Sequence, residues 1–169
     1  MAARGDETSG GRAAGDAVFD PAAAARAVLA AAGDGALGTL RPGGAPFVSF
    51  VAVAPEPGGD VLLLISSLAV HTRNLGHDSR ASLLLVAPEA GAAGSGDVLA
   101  GSRLTLEGRV VATDQPAARA QYLARHPEAA GYADFADFAF HRFETATAHL
   151  VAGFGRIASL DRRDLSLPE

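Results

Sequence analysis

The sequence predicts a mainly β protein with peripheral helices, built as an antiparallel β-barrel. Short apolar segments either alternate with period two or run continuously, as half-buried and fully buried strands do. Tight turns at Arg41 to Gly44 and Pro55 to Gly59 separate neighbouring segments, which is typical of hairpins. Helical segments interrupt the strands without the regular alternation of a parallel sheet. The 169 residues suffice for one domain, so we expect a disordered tail over residues 1–17 and one folded domain over 18–169.

The first predicted element is a helix over residues 22–32. Asp20 is a good N-cap, Pro21 suits the first turn, and Gly33 ends the run of strong helix formers. Six or seven strands follow it. In chain order, the predicted strands span residues 36–40, 46–54, 61–65, 81–87, 103–113, 138–145 and 149–160.

Helices and one loop are predicted between these strands. The segment from Ser66 to Leu75 reads as a short helix that follows a buried strand. Asp114 is predicted to cap a helix that ends near His126, and residues 127–134 begin a second helical piece. Residues 88–96 are rich in Gly and Ala and predict a mobile loop.

Composition excludes several kinds of chemistry. All 14 basic residues are arginine, and the chain has no lysine, cysteine or tryptophan. A lysine Schiff base, a Walker phosphate lysine, a disulfide and a cysteine metal site or nucleophile are therefore excluded. The net charge of -5 argues against a nucleic-acid partner. No apolar run reaches the roughly 18–20 residues of a membrane span and the N-terminus has no signal-peptide core, so we expect a cytoplasmic protein.

The segment from Ser66 to Asn74 is the main candidate for a binding site. It places two hydroxyls at the end of a buried strand and an arginine within the next two helical turns, which suits an anionic phosphate. In a chain without lysine, Arg73 is the natural phosphate ligand and Arg80 is a second candidate. An ordinary capped helix with a solvent-facing Arg73 is an equal alternative. Arg80 could instead pair with Asp78 or Asp97.

The other titratable residues predict no metal site. His126 ends a helix, where a cation is favourable. His141 alternates with its neighbours on a strand and is expected to face outward, and His149 opens the last strand. No histidine pair at zinc-binding spacing is present. Asp134 and Asp137 are better explained as a solvated helix face than as a catalytic carboxylate pair.

Five segments carry a family resemblance, and they stand in this order along the chain: GALGTLRPGGAPFVSFVAVA (35–54), ISSLAVHTRNLGHDSRASLLL (65–85), RLTLEGRVV (103–111), ARAQYLARHPEAAGYADFADFAFHRF (118–143) and HLVAGFGRIASL (149–160). Together they resemble the FMN-binding split-barrel superfamily, in the branch of pyridoxamine-phosphate-oxidase-related and haem-utilisation proteins. The resemblance implies a six-stranded antiparallel split β-barrel that forms a homodimer, with FMN bound at the interface.

The resemblance also implies the site residues. Ser66, Ser67, His71, Thr72 and Arg73 match the family's ribityl-phosphate segment. The strand from Phe47 to Phe50 matches the one beside the flavin ring, where Ser49 could donate a hydrogen bond. Asn74 is expected either to orient the turn or to serve as an inward polar cap bonded to backbone.

The function that this resemblance implies is an FMN-dependent oxidoreductase of unknown small-molecule substrate. Pyridoxamine-phosphate oxidase activity itself is not expected, because the C-terminal Arg-x-His clasp and the phosphate lysine are missing. One alternative is a haem-binding or haem-degrading protein. That branch takes its axial ligand from the extreme C-terminal segment, whereas this chain has no histidine after His149. Another alternative is a non-catalytic flavin-binding dimer.

Overall fold

The computed structural model describes residues 18–87, 101–153 and 155–167. These residues form a mainly β fold with peripheral helices, as the sequence predicts. The predicted tail over residues 1–17 and the predicted loop over residues 88–96 lie outside the described residues.

In the part of the chain that the structure describes, three α-helices lie beside the sheet: α1 (Pro21–Ala31), α2 (Val70–His77) and α3 (Pro116–Arg125). The Asp20 carboxylate caps α1 by accepting from the backbone N–H groups of Ala22 and Ala23 at 2.9 and 3.1 Å. The predicted Asp114 cap is wrong, because α3 starts at Pro116 with Gln115 as its N-cap residue. Two 3₁₀ turns, Pro127–Gly131 and Arg162–Leu165, complete the helical elements of the described chain.

Within the described ranges, eight strands form one antiparallel sheet, so the prediction of six strands undercounts them. They are β1 (Asp34–Leu40), β2 (Pro46–Ala52), β3 (Ala54–Pro55), β4 (Val61–Ser66), β5 (Arg80–Val86), β6 (Ser102–Ala112), β7 (Phe138–Ala152) and β8 (Ile157–Asp161). The order across the sheet is β2-β1-β5-β6-β7-β4-β3, with β8 also paired to β7.

The predicted break between residues 145 and 149 is wrong, because β7 continues through it to Ala152. The pairing of β6 with β7 shifts between Glu107 and Gly108, so Ala146 is the additional residue of a β-bulge. The chain turns after β7 instead, where Gly153 and Gly155 both have a φ of 77°. Such a backbone angle favours glycine.

The sheet curls around one core and leaves a split between two of its strands. The core inside the curl is made of apolar side chains from α1 and most strands, among them Leu37, Leu63, Leu83 and Phe143. A second cluster forms outside the curl, where α3 packs Tyr122 against Leu62 and Leu64 of β4. Strands β2 and β4 contact each other but do not pair, so the structure is an open barrel, consistent with a split barrel.

Charged side chains tie the end of the fold to the sheet. The buried Asp60 carboxylate accepts from the Thr145 backbone N–H at 3.0 Å and from Arg162 at 2.7 and 2.9 Å. Glu56 and Arg142 form a second, bidentate pair. Over the described ranges, no helix combines the length and apolar character needed to cross a membrane.

Candidate functional site

An aromatic groove of about 380 Å³ lies at the split of the barrel. Its walls come from the adjacent ends of β2 and β4, and the start of α2 closes one side. Four aromatic rings line it, from Phe50, Tyr122, Tyr132 and Phe138. Large apolar and aromatic walls with a few polar groups are typical of a pocket for an organic ligand.

The polar centre of this aromatic groove is the imidazole of His71. Its Nδ1 lies 2.9 Å from the Ser49 hydroxyl oxygen. Its Nε2 is buried and has no hydrogen-bond partner among the described residues. Burial, and then the nearby His141, lower the pKa of His71 below its ordinary value of 6.5. The ring is therefore neutral at pH 7 and carries one proton, on one of its two nitrogens.

His141 faces the interior, and the prediction that it faces outward is wrong. It lies opposite Leu63 of the neighbouring strand β4, and Leu63 is fully buried in the core. Its Nδ1–H donates to the Ala139 carbonyl oxygen at 3.1 Å, and burial lowers its pKa. The spacing to Phe143, which also faces the core, could have indicated this orientation.

Hydroxyl groups of the predicted phosphate segment bond to the protein itself. The Ser66 hydroxyl donates to the Asp137 carboxylate at 2.5 Å, and the Thr72 hydroxyl donates to the Ser66 carbonyl oxygen at 2.7 Å. Ser67 is exposed, and its backbone N–H donates to the Asp137 carbonyl oxygen. These bonds hold the end of β4, the start of α2 and the start of β7 together beside the groove.

The two arginine candidates have different surroundings. Arg73 is exposed and donates to the Leu68 carbonyl oxygen. Arg80 pairs with Asp78, as one alternative predicted, and its guanidinium lowers the pKa of that carboxyl to about 2. Arg73 is thus an exposed cation one helical turn beyond Ala69, which lines the groove, whereas Arg80 lies in an ion pair.

Asn74 is a buried residue of α2, and its side-chain amide donates to the Thr39 hydroxyl at 3.0 Å. This bond goes to a side chain rather than to the backbone that the second alternative expected, and it attaches α2 to β1. Asn74 therefore does not line the groove, whereas Ser66 and His71 do and Ser49 contacts His71.

The remaining candidates have separate partners. His126 donates from Nε2 to the Val53 carbonyl oxygen at 2.8 Å, and His149 is exposed on the outer face of the sheet. Asp134 pairs with Arg119, whereas Asp137 accepts from Ser66. Within the described segments, no three His, Cys, Asp or Glu side chains converge as a metal site would require.

Sequence reasoning missed the aromatic walls of the groove. Tyr122 reads as a core residue of a helix, and Phe138 reads as the start of a strand. Tyr132 lies in the predicted helical piece. Phe138 reaches the groove through the pairing of β7 with β4, where it lies opposite Ser66. Tyr122 and Tyr132 reach it by packing in the cluster around Leu62 and Leu64 of β4.

Comparison with known proteins gives two informative relatives. The chain is 39% identical over 113 residues to the noncanonical haem oxygenase HOZ, chloroplastic, of Arabidopsis thaliana, which covers 65% of this chain and 33% of that protein. It is 34% identical to a haem-binding protein from Mycobacterium smegmatis, with a TM-score of 0.80, over 89% of this chain and 62% of the other. The chain therefore spans one third of the plant relative and less than two thirds of the mycobacterial one.

A second solved structure supports the fold alone. It is a Clostridium acetobutylicum protein described as related to a general stress protein of the pyridoxinephosphate oxidase family. It is 11% identical, with a TM-score of 0.58, over 79% of this chain and 89% of the other. This likeness agrees with the split-barrel architecture.

These relatives overturn the prediction of FMN as the cofactor. The descriptions of the plant protein and of the mycobacterial protein both name haem, and both proteins are more than 30% identical to this chain. The prediction failed because fold resemblance alone does not distinguish the ligands that one fold accommodates. The family described as "CREG, beta-barrel" matches residues 17–165, and the chain belongs to this CREG beta-barrel family.

Proposed function

We propose that this chain binds haem in the aromatic groove, where the imidazole of His71 would hold the iron. The observation that carries the proposal is the buried Nε2 of His71. This nitrogen has no hydrogen-bond partner within the described chain, and His71 is one of the residues that line the aromatic groove. Neutral imidazole is a common protein ligand of haem iron. The haem descriptions of the two relatives support the same ligand.

The residues of the groove fit the chemistry of haem. The rings of Phe50, Tyr132 and Phe138 offer flat apolar surface to a porphyrin face. His71 is neutral at pH 7, so no proton has to be removed before its nitrogen binds a metal ion. The exposed guanidinium of Arg73 supplies positive charge beside α2, which suits a propionate group.

Bound haem would supply the iron on which oxygen and redox chemistry can occur. The chain's own residues hold and orient the ring and exclude water from its buried face. Nε2 is shielded from solvent, so haem binding there would require side chains of the groove to move. Ser49, on β2, would hold the imidazole through its Nδ1.

The test is a haem titration followed by the Soret band. We expect saturable binding to the wild type and at least ~10-fold weaker binding to His71→Ala, equivalent to ~1.4 kcal/mol. His149→Ala is the matched control, since His149 is exposed on the outer face, and it should bind as the wild type does. Equal affinities of His71→Ala and wild type would contradict the proposal.

Aerobic incubation of the complex with a reductant separates storage from degradation. If haem is a substrate, as the name of the plant relative suggests for that protein, the Soret band decays and a ring-opened product accumulates. If the chain only holds haem, the band persists. Both results uphold haem binding, and they decide whether the chain is an enzyme.

We also propose that the chain forms a homodimer through the outer face of the sheet. Four large apolar side chains are exposed there, Val48 and Phe50 on β2 and Leu84 and Val86 on β5. Phe50 and Leu84 lie in one row, because both pair with Ala36 of β1. A second copy would bury this face. Since Phe50 also lines the aromatic groove, the partner subunit would lie next to the haem site.

A further inference from the structure

We propose, resting on the haem site proposed above, that Ser49 is a positioning residue which keeps the single proton of His71 on Nδ1. Nε2 then keeps the lone pair that binding of an iron would need. The role concerns the tautomer and orientation of His71, and Ser49 itself does not touch the haem.

The backbone places Ser49 rigidly for this role. Ser49 of β2 lies opposite Leu37 of the neighbouring strand β1. Leu37 is fully buried, so the Ser49 side chain belongs to the inner face of the sheet. Seven consecutive residue pairs hold β2 against β1 on either side of this position. The hydroxyl oxygen at 2.9 Å from Nδ1 is therefore fixed by a strand rather than by a mobile loop.

The unpaired Nε2 decides where the proton lies. With the proton on Nε2, the ring would bury an N–H donor without an acceptor among the described residues, which is unfavourable. With the proton on Nδ1, that N–H donates to the Ser49 oxygen and Nε2 is left as an unpaired acceptor. Orphaned buried donors are rarer in native proteins than unpaired acceptors, so the second tautomer is favoured.

The neighbouring histidine does not reverse this choice. The Nδ1–H of His141 donates to the Ala139 carbonyl oxygen, so its Nε2 is an acceptor in the neutral ring. That nitrogen could accept a proton from His71 Nε2 only within hydrogen-bond distance. The structure gives His71 Nε2 no such partner in the described chain, and Ser49 remains the group bonded to the ring.

The first test uses the haem-free protein and needs no cofactor. Long-range ¹H–¹⁵N spectra of histidine-labelled chain report which nitrogen of each ring is protonated, and His71→Ala identifies the His71 signals. We expect the Nδ1–H tautomer in the wild type, a mixture in Ser49→Ala, and recovery of the wild-type pattern in Ser49→Thr, which retains the hydroxyl. An Nε2–H tautomer in the wild type, or an unchanged spectrum in Ser49→Ala, would overturn the proposal.

The second test is a double-mutant cycle on haem affinity. Ser49→Ala should weaken binding about 10–100-fold, as loss of a partner behind a metal ligand does, and shift the Soret band. In the His71→Ala background the same substitution should have little further effect, because Ser49 acts through His71. An equal loss in both backgrounds would show a structural effect instead. If the wild type binds no haem, the proposed function fails while the tautomer test still decides the role of Ser49.

Discussion

Asp60 shows how one buried carboxylate joins separate parts of the fold at the residue scale. It accepts from the backbone of Thr145 in β7 and from Arg162 in the C-terminal 3₁₀ turn. Asp60→Ala should lower the free energy of unfolding by about 2 kcal/mol, because it leaves the buried Thr145 N–H without its acceptor. Urea denaturation measures the change. Asp134→Ala, which breaks the exposed pair with Arg119, is the control and should cost less than ~1 kcal/mol.

His141 should make the stability of the haem-free chain depend on pH. Burial holds its pKa below 6.5, so in acid the unfolded chain takes up a proton before the folded one does. The contribution to stability is complete above about pH 6.5 and is lost as the pH falls toward the folded-state pKa. His71 acts with the same sign.

Urea denaturation between about pH 5 and pH 8 measures this dependence, which rests on the linkage of proton binding to folding. His141→Gln should flatten the loss of stability in acid, whereas His149→Gln, at an exposed position, should retain the wild-type slope. If His141→Gln and the wild type gave parallel curves, the folded-state pKa of His141 would not be depressed.

At the scale of elements, the bulge between β6 and β7 explains why the sequence predicted two strands where one exists. Phe143 and Thr145 face inward on one side of Ala146, and Ala148 and Leu150 face inward on the other. The inward positions therefore change from odd to even residue numbers within one strand. In the sequence, such a change in the alternation of apolar and polar residues indicates the end of a strand. The sequence does not show the pairing with β6 that makes it a bulge. The hairpin of β1 and β2 has no bulge, and the strand ends at its turn, Leu40 and Pro46, were predicted, whereas the outer ends differ by two residues.

Gly108 is the residue of β6 that permits this bulge. A Cβ built there would clash with the Glu144 carbonyl oxygen of β7. Gly108→Ala should therefore destabilise the chain by about 3 kcal/mol, since backbone atoms cannot move aside as a side chain can. Thermal denaturation by circular dichroism measures it. Gly76→Ala is the control, because open space surrounds that position on α2, and it should be neutral or stabilise by up to ~1 kcal/mol.

At the scale of the whole molecule, the outer face of the sheet predicts association. Leu84→Glu places a charge among the exposed apolar side chains of this face and should dissociate the proposed homodimer. Light scattering coupled to size exclusion should give twice 17.0 kDa for the wild type and one chain for the variant. A wild type that runs as one chain at high concentration would refute the dimer.

The candidate site was predictable only in part, because long-range packing brings some of its residues together. The sequence singled out Ser49 and His71 in segments 22 residues apart, and the structure places them in hydrogen-bond contact. It also drew attention to Ser66 and Thr72, whose hydroxyls bond to the protein itself. The groove was not predictable, because Tyr122, Tyr132 and Phe138 reach it through long-range packing. The choice of haem came from relatives and not from any motif.

The central claim is that His71 binds the haem iron at the split of the barrel. Resonance Raman spectra of the ferrous complex show the iron–histidine stretch directly, and ¹⁵N-histidine labelling identifies it by its isotope shift. We predict that the band is present in the wild type, His141→Ala and His149→Ala and is lost in His71→Ala. A band that survives in His71→Ala would contradict the account, because the iron would then be bound by a different histidine.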